Sequence, residues 1–271
     1  MLTELSLSGF LAFAMAYPLC FLANAGAAID RGFYRFNLGV ACFILSLGLF
    51  AMLFAGPRAG ARGAGSLPPA VLPVLAGVWL VALLAVTWSQ WERPRPNLLL
   101  VALPSVLGAA VTAAAAVARS PAAAAPFGAA ALTLLGGLTL GMALYCMVLG
   151  HWYLNVERLP IAILARAVTV YTALLALRLV WDAVGLAAGT VPYQGYPLPL
   201  HAFVATLDGF LVVVAVFFGV LFPLVANVLV QRTLRAKSTQ AATGILYVVV
   251  VAAIIGDFSY RFFLLRYGVV L

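Results

Sequence analysis

The chain has 271 residues, 66% of them hydrophobic and 8% charged, with a formal net charge of +8. A water-soluble domain carries about 25% charged residues, so a soluble enzyme is excluded and a bilayer protein is expected. The apolar runs reach the ~20 residues of a membrane-crossing helix. Barrel strands would show short alternating segments instead. We therefore expect an all-α polytopic membrane protein.

In chain order, eight spans are predicted, at 5–29, 33–55, 69–90, 98–119, 127–153, 161–187, 202–231 and 239–265. The N-terminal MLTELSLSGF holds Glu4 and no basic residue, and is read as the start of the first span. Proline and glycine punctuate the connections: PRAGARGAGSLPP, WERPRPN, SPAAAAP, NVERLP and TVPYQGYPLPLH. Ser238 and Thr239 are suited to cap the start of the eighth span. Arg31, Arg35, Arg93, Arg95, Arg158, Arg166, Arg232, Arg235 and Lys237 fall after odd-numbered spans. Arg58, Arg62, Arg119 and Arg266 fall on the other side. This bias is an orientation signal, not a nucleic-acid footprint. It predicts a cytoplasmic face after the odd spans, with both termini outside, in what we expect to be a bacterial cytoplasmic membrane. The stretches MAYPLCFLANAGAAIDRGFYRFN and GMALYCMVLGHWYLNVERLPIAILAR share the order Met, Tyr, Cys, acid, Arg. They hint at a repeat of 1–126 and 127–271. Gly137-x-x-x-Gly141 predicts a close helix approach.

Ionisable residues inside a bilayer are functional candidates. Arg178 and Asp182 stand four apart in span six, as do Asp257 and Arg261 in span eight. Asp208 is expected about two turns into span seven, with His201 just before it. On the expected topology all six lie toward the outer side, where they could form a pocket for a quinone headgroup or simply knit helices as ion pairs. A second set, His151, Glu157, Arg158 and Arg166, lies toward the cytoplasmic side, with Asn24, Asp30, Arg31 and Arg35 as possible neighbours. It suits proton entry, docking of a partner, or plain headgroup contact.

Only two histidines exist, His151 and His201, and the topology separates them. The three cysteines, Cys20, Cys42 and Cys146, form no CxxC pair. Neither haem nor metal of the chain's own is expected, and no GxSxG, HExxH, Walker or paired-Asp prenyltransferase motif occurs.

Eight spans, termini outside, no haem ligand pair and outer-side polar residues together resemble the quinol-oxidising membrane anchors of dimethyl-sulfoxide-reductase and polysulfide-reductase type enzymes, the NrfD-like family. The resemblance covers the whole chain in outline. It implies two four-helix bundles, a menaquinol held near the outer leaflet, and electron delivery to partner subunits carrying iron–sulfur, molybdenum or haem cofactors. A small-solute or ion transporter, with Pro18 and Pro223 as candidate helix breaks, is the competing reading. A non-catalytic assembly subunit is a third.

Overall fold

The computed structural model describes residues 1–54, 68, 70–121, 125–156 and 159–271. Eight helices are long and apolar enough to cross a membrane. They are α1 (Leu2–Cys20, continued by a tighter turn over Phe21–Asn24), α2 (Arg31–Phe54), α3 (Val71–Gln90), α4 (Leu98–Arg119), α5 (Pro126–Asn155), α6 (Ile161–Ala188), α7 (Phe210–Arg235) and α8 (Thr239–Tyr267). A two-stranded antiparallel hairpin, β1 (Thr190–Tyr193) and β2 (Tyr196–Pro199), joins α6 to α7. Arg58 and Arg62 in the predicted second loop, and Glu157 and Arg158, lie outside the described residues.

The helix ends follow local chemistry. Asn97 opens α4 by accepting from the Leu99 and Leu100 amides at 3.1 and 3.2 Å. Pro104 interrupts the same span, which continues from it as a fresh first turn. Ser238 does occupy the cap position of α8, but its hydroxyl makes no cap bond. Its backbone amide instead donates to Thr233 O, closing α7, while Lys237 turns the chain at φ 58°. The largest departure from expectation is in α7, which begins at Phe210 rather than near residue 202. A single helical turn does form at Leu200–Phe203, right after Pro199, but the turns that follow, through the Asp208-Gly209 pair, break it from α7.

The helices form two groups with the same internal order. In the first, α1 packs on α2, α2 on α3, α3 on α4, and α4 returns to α1; α5 to α8 do the same. The seam between the groups is α1 against α5, flanked by contacts of α4 with α5 and of α1 with α8. Accordingly α1 and α5 are the most enclosed spans, 72% and 67% buried in their apolar windows, whereas α3 at 22% is left to face lipid. Without a hydrophobic driving force between helices in lipid, close packing must hold the seam. A Cβ on Gly137 would lie 2.4 Å from the Ala12 carbonyl oxygen, so only glycine allows this approach. Gly141 meets Cys20 and Ala16 a turn further on. The predicted small-residue face is thus consumed within the chain. Phe36, Phe43 and Phe50 instead form an exposed stripe at seven-residue spacing on α2, and Trp88 is 82% exposed near the end of α3.

In α7, residues Phe217–Leu221 form a wider π-helical turn just before Pro223. Proline has no amide hydrogen and its ring crowds the carbonyl four residues back, here Gly219. The wide turn absorbs that conflict. It also brings Gly219 against Gly256 of α8, where an added Cβ would lie 2.2 Å from the Gly219 Cα.

Candidate functional site

Buried ionisable residues are concentrated in the half of the bundle nearest the hairpin. Arg178 and Asp182 form the predicted pair on one turn of α6, with Nε to Oδ1 3.0 Å and both side chains buried. Two further partners, not anticipated, complete the group. The Tyr260 hydroxyl of α8 donates to the second carboxylate oxygen of Asp182. Arg178 Nη2 donates to the Leu271 carbonyl at 2.5 Å, and its guanidinium stacks over the Tyr260 ring at 3.8 Å. The buried charge is therefore neutralised, with both carboxylate oxygens and two of the three guanidinium nitrogens hydrogen-bonded, which is what makes it tolerable in low dielectric.

The next residue along α8, about 100° around the helix, faces α1 instead. Arg261 grips Asp257 through two bonds of 2.6 and 3.0 Å, and its Nη1 reaches the Ser8 hydroxyl (2.7 Å) and carbonyl (3.1 Å) of α1. Gly136 of α5 leaves room for the Asp257 carboxylate, since a Cβ there would lie 2.6 Å from Oδ1. The two predicted pairs thus belong to two networks on neighbouring faces of α8, one toward α6 and one toward the α1–α5 seam.

A third pair was missed by sequence reading. Glu4 of α1 and Arg119 of α4 meet at 2.7 Å, 115 positions apart. They wall a water-sized cavity of about 10 Å³ between α1, α4, α5 and α8, into which the buried Thr112 hydroxyl faces without a partner among the described residues.

Asp208 and His201 require correction. Asp208 is not inside a helix; it is exposed in the turn before α7 and accepts from the Tyr193 hydroxyl at 3.0 Å. That bond, which needs the proton in place, pushes the Tyr193 phenol above its ordinary pKa. His201 is exposed on the one-turn helix Leu200–Phe203. Neither joins the two buried networks.

A different set of residues marks the arginine-rich end of the bundle. His151 is exposed at the end of α5, and its Nδ1 lies 3.0 Å from the Tyr247 hydroxyl of α8. Arg166 is exposed on α6. Arg31 and Arg35 both reach Glu92, at 3.6 and 2.9 Å, and the Asp30 carboxylate caps the Gly32 amide at 2.7 Å. Asn24 does not join this surface group. It is buried and donates to the Tyr145 hydroxyl at 3.0 Å, across the seam. With Tyr17 bonded to Asn37, and Asn227 donating to Thr172 at 3.2 Å, it forms an uncharged polar layer. Asn24 Oδ1, Asn227 Oδ1 and the Tyr171 hydroxyl have no partner among the described residues.

No group of three or more His, Cys, Asp or Glu side chains that could hold a metal occurs among the described residues. His151 and His201 stand at opposite ends of the bundle. An apolar groove of about 250 Å³ opens on the outside of α6 between Leu177, Val180, Trp181, Val184, Gly185 and Val270. It shares its wall with the Arg178–Asp182 turn. No family model matches the chain, no curated protein is similar to it, and no solved structure resembles it.

Proposed function

We propose that this chain is a quinone-binding membrane subunit of an electron-transfer complex, which takes electrons from quinol and passes them to a cofactor-bearing partner. One observation carries the reading. The apolar groove on α6 lies back to back with the Arg178–Asp182–Tyr260 network: Leu177 and Trp181 line the groove, Arg178 and Asp182 follow each of them, and Val270 precedes the Leu271 carbonyl that Arg178 holds.

A quinone has an apolar tail and two carbonyls that need hydrogen-bond donors. The groove walls suit a tail. Arg178, next to the lining Leu177, and Tyr260, bonded to Asp182 behind the groove wall, are the nearby donors, and Asp182 is the carboxylate able to take a proton. The quinone would supply the two-electron chemistry. The chain's own residues bind, orient and hold the proton. Placing the arginine-rich end in the cytoplasm puts this site on the outer side of the membrane. Of the remaining buried pairs, Asp257–Arg261 reaches across the seam to Ser8, and Glu4–Arg119 ties α1 to α4 within the first group.

The closure of all three ion pairs favours a second reading, an assembly subunit whose charges only fasten helices. Quinone binding separates the two. Trp181 stands in the groove, so a soluble menaquinone analogue should quench tryptophan fluorescence saturably in the wild type. The saturable part should vanish in Trp181→Phe, and its apparent affinity should fall by up to about tenfold in Tyr260→Phe, the loss of one neutral hydrogen bond. Identical quenching in Trp181→Phe would remove the groove as the site.

A further inference from the structure

We propose that the arginine-rich end carries a second, independent site, one that binds the phosphodiester headgroup of an anionic phospholipid. A cavity of about 450 Å³ opens there, where three loops converge. The α1–α2 loop contributes Ile29 and Asp30, the α3–α4 loop Pro94 and Arg95, and the α5–α6 loop Leu159 and Pro160.

The charge balance around it is uneven. Arg31 and Arg35 share one carboxylate, Glu92. Asp30 spends an oxygen on the Gly32 amide. Arg93 and Arg95, both exposed, have no carboxylate partner among the described residues. Among the described residues of these loops and the start of α2, four arginines stand against two acids; Arg95 and Asp30 line the cavity, and Arg31, Arg35, Arg93 and Glu92 flank it. Helices α2 and α6 also start at its rim, at Arg31 and Ile161, and direct the positive ends of their dipoles toward it.

The occupant is set by chemistry and depth. Guanidinium groups match phosphate geometry, and basic pockets between membrane helices hold anionic headgroups. Trp91 stacks under Arg35 at 5.3 Å and Trp88, one turn earlier, is 82% exposed. Tryptophan at that exposure marks the headgroup level of a bilayer. A phosphate at the cavity would therefore have its acyl chains beside the apolar wall of α3.

The test is native mass spectrometry of the purified chain released from neutral detergent, offered phosphatidylglycerol and phosphatidylcholine of equal chain length. The wild type should retain phosphatidylglycerol preferentially. Each surface arginine near a membrane contributes about fivefold in affinity, so Arg93→Gln/Arg95→Gln should weaken retention by about 25-fold. Arg166→Gln, on the same end but outside the cavity, should leave it unchanged. Unaltered unfolding midpoints would show that all variants are folded, and Arg95→Gln alone, losing about fivefold, serves if the double variant is not. Retention unchanged in the cavity variants, or lost equally in Arg166→Gln, would overturn the site. Displacement of the lipid by millimolar inorganic phosphate would overturn the lipid as occupant.

Discussion

At the scale of single residues, the buried charges are tolerated because each is matched. Removing one partner exposes the full cost of the other. Asp257→Asn leaves the Arg261 charge without its counter-ion and should cost about 3 kcal/mol or more. The double variant Asp257→Asn/Arg261→Met should cost clearly less. Unfolding midpoints of the detergent-purified proteins decide this, and equal losses would mean that the pair is not coupled. Tyr260→Phe removes one donor from Asp182 and should cost about 1.5–3 kcal/mol by the same measurement. The Tyr193–Asp208 bond makes a pH prediction. The phenol's pKa is raised because its proton is shared with the carboxylate. The bond is therefore intact below the ordinary tyrosine range and is lost as pH rises through the raised value. In Asp208→Asn, Tyr193 should ionise at lower pH than in the wild type, read as the ultraviolet phenolate signal absent from Tyr193→Phe controls.

At the scale of elements, the seam between α1 and α5 is the least forgiving contact. Gly137→Ala drives a methyl group into the Ala12 carbonyl. It should lower stability by about 1–3 kcal/mol, the usual range for overpacking, again read from the unfolding midpoint. The helices were legible in the sequence because a span announces itself by length alone. Pairs within one helix were legible too: Arg178–Asp182 and Asp257–Arg261 follow from four-residue spacing. What spacing could not supply was direction around the helix. Tyr260 and Arg261 are adjacent yet serve different networks, one with α6 and one with α1. Nor could it pair Glu4 with Arg119, which requires knowing that α4 closes back on α1. The misplacement of Asp208 had a visible signal. The span expected at 202–231 suggested continuous helix, but Asp208-Gly209 is a turn pair and separates the single helical turn Leu200–Phe203 from α7.

At the scale of the whole molecule, the chain is an integral membrane bundle whose two helix groups meet along α1 and α5. Charge is buried near the hairpin end, and neutral polar groups are buried near the arginine-rich end. Composition made the membrane class plain, whereas the grooves and cavities depend on which helices face each other and left no trace in the order of residues. On the proposed reading, electrons taken from quinol pass to partner subunits that carry the cofactors. The most direct test is to tag the chain in its native host, purify it in mild detergent and identify co-purifying chains by mass spectrometry. Our reading predicts subunits bearing iron–sulfur, molybdenum or haem cofactors in fixed ratio to this chain. Recovery of the chain alone, under conditions that keep membrane complexes intact, would contradict it.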